Sequence, residues 1–148
     1  MDLPPSLLRL DTYVLSKIGK TARARLSERL ATRGLRLWHM AVLAALADFG
    51  PHIQRELASR LDLHPSDVAK VIDTLVAGGA VERRQDPADR RRVRVDITPA
   101  GRSLLGELEH EAGTVRDGIL APLNPSERAE LSRMLHRVFD GLHAPGSH

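Results

Sequence analysis

Residues 81–98 read VERRQDPADRRRVRVDIT, and the folding of this stretch decides the architecture of the chain. Its second half, Val93-Arg94-Val95-Asp96-Ile97, alternates strictly between apolar and polar residues. A period of two makes a strand with one face buried and the other in water. Val81-Glu82-Arg83-Arg84 forms the first arm, and the tip Asp86-Pro87-Ala88-Asp89-Arg90 is rich in turn residues. Between residues 82 and 94 stand six arginines (83, 84, 90, 91, 92, 94) against three acids (82, 86, 89), a surplus of +3 that equals the net charge of the whole chain. So compact a basic hairpin suits a phosphate backbone or a groove. A solvated, salt-bridged hairpin has the same composition. The residues before it bear on the choice.

Upstream, Val68, Val71, Ile72 and Leu75 mark the buried side of a helix from Pro65 to Ala77, with Pro65 at a favoured first position and Gly78-Gly79 closing it. Ile53 to Leu61 reads as a shorter helix, and Asp62-Leu63-His64 as the tight turn between them. Helix, turn and helix followed directly by a hairpin make a winged helix-turn-helix.

Outside this unit, residues 6 to 32 read as one long helix through Leu7, Leu10, Val14, Ile18, Ala22, Leu26 and Leu30, stopped by Gly34. Leu35 to Phe49 is a second helix, with Leu35, Trp38, Val42, Ala45, Leu46 and Phe49 inward. Thr98-Pro99 restarts helix to about Leu120, and Asn124-Pro125-Ser126-Glu127 resembles a capping box for a last helix carrying Leu131, Met134, Leu135, Val138 and Leu142. From His143 the tail is expected to fray. The terminal helices are more apolar than a winged unit can cover, which points to a second copy of the chain. The expected fold class is mainly α (α+β). One domain spans 1–148, with a winged lobe at 35–100 and dimerisation helices at 1–32 and 101–143.

Composition narrows the function. The chain has 148 residues, 42% hydrophobic and 28% charged, as in an ordinary globular protein. Cysteine is absent, which excludes disulfides and thiolate metal sites. No apolar run has the length of a membrane span. The opening Met1-Asp2-Leu3-Pro4-Pro5 lacks the regions of a signal peptide, so a cytoplasmic location is expected. No Gly-rich phosphate loop, nucleophile motif or paired carboxylates favour an enzyme, and no cofactor is implied. Seven histidines (39, 52, 64, 110, 136, 143, 148) show no helical metal-ligand spacing. A solvated charged face is the expectation for His110 and its glutamates, and no metal site is expected.

Leu57-Ala58, Leu61, Val68 through Leu75, Gly79, Val81-Glu82-Arg83, Asp86-Pro87, Asp89-Arg90-Arg91 and Ile97-Thr98-Pro99-Ala100-Gly101 together resemble the MarR family of bacterial transcription regulators. The resemblance covers roughly residues 10 to 142, and the wing with its Thr-Pro-Ala-Gly is its specific part. It implies a homodimer on a palindromic operator of double-stranded DNA, often released by a small phenolic or anionic ligand. Thiol-sensing members need a cysteine, which is missing here.

A recognition helix from Pro65 would expose His64, Pro65, Ser66, Asp67, Ala69, Lys70, Asp73 and Thr74 to the major groove. Ser66 donates to phosphate or base, and Lys70 reaches a phosphate or a guanine edge. Asp67 caps the helix, pairs with Lys70 or accepts from cytosine, the first two being favoured. In the wing, Arg90 would enter the minor groove while Asp89 and Arg91 pair to stiffen the tip, although the arginines can exchange roles. Arg83, Arg84, Arg92 and Arg94 are phosphate contacts or solubilising charge. For an effector, Tyr13, Lys17, Trp38 and His39 are the candidates. The competing expectations are a core role for Trp38, an exposed His39, and plain helix-surface neighbours for Tyr13 and Lys17. A constitutive winged-helix DNA-binding or protein-interaction module without effector is the alternative function.

Overall fold

Pro4 and Pro5 start a single helical turn, α1 (Pro5–Leu8), in the computed structural model, which describes residues 1–145. The backbone at Leu10 is extended (φ −92°, ψ 111°), so α2 (Asp11–Ala31) begins afresh with Asp11 in its first turn, where a carboxylate suits the helix dipole. The single helix expected over 6–32 is therefore two. Leucine spacing runs through the break because periodicity does not register one extended residue. Gly34, with φ +71°, turns the chain out of α2.

α3 (Leu37–Phe49) starts two residues later than expected, because Arg36 is extended and its N–H donates to His39 Nδ1 at 2.9 Å. The helix buries His39, Val42, Leu43, Ala45 and Leu46. Trp38 and Phe49, expected inward, are 39% and 61% exposed. Two stripes interleave on this apolar helix, one through 38, 42, 45 and 49 and one through 39, 42, 43 and 46. The core took the second, and the polar histidine in it disguised the choice. His39, expected exposed, is buried, and that burial holds its imidazole below the ordinary histidine range.

Gly50-Pro51 ends α3 as expected, with Gly50 at φ +84°. A two-residue strand follows, β1 (His52–Ile53), then α4 (Gln54–Leu61), where sequence alone suggests helix from Ile53. So short a strand has no period to detect. Asp62, left-handed at φ 53° and ψ 46°, turns the chain toward α5 (Pro65–Ala77), whose bounds match the expectation. β2 (Val81–Gln85) and β3 (Val93–Ile97) pair antiparallel from Val81↔Ile97 to Gln85↔Val93, and β1 adds to β3 through His52↔Val95. α6 (Pro99–Ile119) is capped by Thr98, whose Oγ1 accepts from Gly101 N–H at 3.0 Å. α7 (Pro125–His143) has the expected capping box, Asn124 and Glu127 bonding reciprocally at 2.8 and 3.0 Å. Its order runs to His143, while 146–148 of the tail, His148 included, lie outside the described residues.

The architecture is the mainly helical winged helix-turn-helix expected from the sequence, with a three-stranded antiparallel sheet in the order β1-β3-β2. Leu30, Leu43, Leu46, Leu57, Ile72, Leu75, Val95 and Leu108 join the end of α2, the winged unit and α6 into one core. Arg29 bonds Glu111, and Arg33 reaches Glu107 at 3.1 Å and Glu111 at 3.4 Å, tying α2 to α6 along their exposed sides. The Arg29 hydrogen bond holds the Glu111 carboxyl below the usual carboxylate range. α7 buries none of its residues within one chain. Among the described residues no helix is long and apolar enough to cross a membrane.

Candidate nucleic-acid interface

The winged unit presents α5 and the β2–β3 wing side by side, and hydrogen bonding within the chain sorts their polar groups. Val68, Val71, Ile72 and Leu75 anchor α5 in the core and turn Ser66, Lys70, Asp73 and Thr74 outward. His64 is the cap: its Nδ1 accepts from Ser66 N–H at 3.2 Å and from the Ser66 hydroxyl at 2.7 Å. This corrects the role favoured for Asp67, because a histidine imidazole takes the orphan donor that a carboxylate was expected to take. Nor does Asp67 pair with Lys70; among the described residues neither side chain has a hydrogen-bond or ion-pair partner. Thr74 donates its hydroxyl to the Lys70 carbonyl at 3.1 Å. Pro65 stands exposed at the first helical position.

In the wing, Arg83 is held by Asp73 of α5 and by Gln54 Oε1 of α4 at 3.4 Å. Arg84 bonds Glu82 on the same strand. Asp86 is buried; it accepts from Ala88 N–H at 2.9 Å and from Arg94 Nε at 3.2 Å, while its own N–H donates to the Arg92 carbonyl at 2.9 Å. Asp89 accepts from Arg91 N–H at 3.0 Å and Arg91 Nε at 3.2 Å. The backbone N–H groups of Ala88 and Arg91 are the first cause, and the arginine partners the next, that hold both carboxyls below the usual range. These links are at full strength above the ordinary carboxylate range and weaken as pH falls through the depressed values.

What remains is informative. Among the described residues, the side chains of Arg90 and Arg92 make no hydrogen bond or ion pair, although Arg92 lies within coulombic reach of Asp86 and Asp89, whereas Arg83, Arg84, Arg91 and Arg94 are bonded. Arg83 and Arg84 engage their partners through Nη2 alone, so their remaining N–H groups can reach a phosphate. Gln54 and Asp73, which steady Arg83, carry no motif that would single them out in sequence.

The four effector candidates fall on α2 and α3. Lys17 Nζ lies 5.4 Å from the Tyr13 ring centroid, a contact between helix-surface neighbours. Trp38 is exposed, and His39 is buried under Arg36. None of the four lines either of two hollows in the fold. One, of about 880 Å³, lies between α2, α6 and α7 and is walled by Leu15, Ile18, Leu26, Val115 and Leu131, with Arg23 and Arg116 beside them. Residues more than a hundred positions apart compose it, so no local pattern announces it. The other, of about 680 Å³, lies beside Phe49, where Arg60 stacks 4.0 Å from the ring centroid and donates to His52 Nε2 at 3.0 Å. Among the described residues no cluster of histidine and carboxylate groups could hold a metal ion.

A short helix, a tight turn, a helix with a polar outer face and an arginine-tipped hairpin define a winged helix-turn-helix protein. Residues 37–93 match the profile of the MarR family, and the chain belongs to that family of transcriptional regulators. It is 31% identical over 98 residues to the transcriptional repressor NicR of Pseudomonas putida, a match covering 66% of this chain and 62% of NicR. Among solved structures it is similar to BpsR of Bordetella bronchiseptica (28% identity, 87% of this chain and 98% of that one, TM-score 0.67), whose DNA binding is described as regulated by 6-hydroxynicotinic acid. It is also similar to the MarR family protein Rv2887 of Mycobacterium tuberculosis, solved with DNA (26% identity, 93% and 98% of the chains, TM-score 0.74).

Proposed function

We propose that this chain is a cytoplasmic, homodimeric repressor that reads a palindromic operator and leaves it when a small phenolic or anionic ligand binds. In this reading α5 lies in the major groove through His64, Pro65, Ser66, Lys70 and Thr74. The wing follows the adjacent backbone with Arg83, Arg84 and Arg92. Arg90 enters the minor groove, held in aim by the Asp89–Arg91 pair. The observation that carries it is the sorting of the wing cations: the arginines that brace the hairpin are partnered, and the one at its tip is not. Residues 35–100 serve as the DNA-binding lobe, and 1–32 with 101–143 as the dimerisation helices.

Solvation supports the dimer. α7 exposes Met134, Leu135, Val138, Phe139 and Leu142, and α1 and α2 expose Leu7, Leu8, Leu15 and Ile18. So many exposed apolar side chains support an interface, and a two-fold pairing would space two reading helices by about 34 Å, one turn of the duplex. Val138 is 60% exposed within the chain, so a charge there leaves the protomer fold intact. Val138→Asp is expected to sediment as a monomer and to lose operator binding. A Val138→Asp protein that remains dimeric would move the interface elsewhere.

The effector part is supported by the similarity to BpsR. A mobility-shift titration of the DNA upstream of the chain's own gene, run with 6-hydroxynicotinate, benzoate and hydroxybenzoates, tests it. Release by at least one of these compounds is expected. Retention of the complex against all of them favours the constitutive module instead. A relay of ligand binding to the lobes needs only that the ligand prefer a state in which their spacing no longer fits the duplex.

A further inference from the structure

We propose that Asp67 and Lys70 are the base-reading pair of α5, and that each operator half-site sets a guanine against Lys70 and a cytosine against Asp67. This rests on the DNA-binding reading above and adds what sequence it selects. Bonds already made within the chain occupy most of the outer face of α5. The Ser66 hydroxyl donates to His64, the Thr74 hydroxyl donates to the Lys70 carbonyl, and Asp73 holds Arg83. Two charged side chains are left, Asp67 and Lys70, without partners among the described residues and not paired with each other. Three residues apart, they share one face of the helix. Both lie in its first two turns, the part that reaches base edges when a recognition helix enters the major groove.

Their chemistry selects the bases. An ammonium only donates and an ionised carboxylate only accepts. Guanine offers O6 and N7, two acceptors side by side, to a lysine. Cytosine offers its N4 amino group with no acceptor beside it on the same edge, which suits a carboxylate. Adenine places N7 next to its amino group, where it repels the carboxylate, and thymine offers the lysine a single acceptor, O4, beside a methyl, against guanine's two. Flanked by phosphates, Asp67 gains only where a donor faces it, so it works mainly by rejecting the other bases. A purely structural account also exists for this residue, since a carboxylate in a helix's first turn suits the dipole. The test separates the two.

The full-length chain is used to select from randomised duplexes at fixed salt. The affinities of wild type, Asp67→Asn and Lys70→Ala are then measured on the selected site and on its single-base-pair variants. The expected half-site carries an invariant G·C pair, and replacing it weakens wild type by about 5- to 150-fold. Asp67→Asn is expected to lose discrimination at the cytosine, and Lys70→Ala at the guanine, with melting curves unchanged within a few degrees. Half-sites without a fixed G·C pair, or variants that weaken every duplex equally, overturn the proposal while leaving the DNA-binding reading in place. Enrichment of no duplex at all overturns both.

Discussion

Arg90→Ala is expected to fold and dimerise like the wild type and to lose operator affinity by about 30- to 20,000-fold. Loss of one such arginine costs about 1–3 kcal/mol, and a two-fold dimer loses two, roughly 2–6 kcal/mol in all. The fold is spared because Arg90 is exposed and supports nothing in the protomer. Arg92→Ala is the companion measurement. As a phosphate contact it should weaken binding evenly across sequences and flatten the salt dependence by about 0.9 in log–log slope for each contact removed. Unchanged operator affinity in Arg90→Ala, measured by mobility shift at fixed ionic strength, would remove the minor-groove assignment.

Gly101→Ala should act on the fold itself. A Cβ built on Gly101 would lie 2.0 Å from the Ala80 carbonyl oxygen and 2.7 Å from Ile97 Cγ1. That carbonyl is not free to retreat, because it accepts from Thr98 N–H at 3.0 Å, while the Thr98 hydroxyl donates to the Gly79 carbonyl at 2.7 Å. The start of α6 is thus locked onto the turn between α5 and β2, and only a residue without a side chain lets the two backbones approach this closely. Overpacking commonly costs about 1–3 kcal/mol. A clash against fixed backbone belongs at or above the top of that range, which lowers the melting temperature by roughly 10 °C in a chain of this size. Thermal unfolding with an unshifted midpoint would show that this contact is far softer than the geometry implies.

The motif Ile97-Thr98-Pro99-Ala100-Gly101 shows how far a sequence can be read. Its Thr and Pro announce a helix start by local chemistry, so α6 was legible to within a residue. The same holds for α5, where Pro65 and the Val68-Val71-Ile72-Leu75 stripe agree, and for β3 with its strict alternation. The reason for Gly101 was not legible, because it lies in Ala80, twenty-one positions away. α3 failed in an instructive way. Two apolar stripes competed on one helix, and the buried histidine at 39 and the exposed Trp38 follow from how α3 meets its neighbours, which no window of the sequence contains. At the start of α5, Asp67 is suited to cap the helix, but His64 at the N-cap takes the Ser66 N–H through its imidazole.

Sequence alone therefore determined the main elements, though not the break between α1 and α2 or the strand β1, together with the winged order and the placement of arginine at the hairpin tip, since these depend on neighbours within one turn or one strand pair. Tertiary structure decided that Arg83 is held across elements by Asp73 and Gln54, where the groove between α2, α6 and α7 opens, and why position 101 must be glycine. The physical reason is the same in each case. Hydrogen bonds, ion pairs and steric contacts between residues far apart in the chain have no signature in local periodicity, and they exist only once the core around Leu43, Ile72 and Leu108 has brought those segments together.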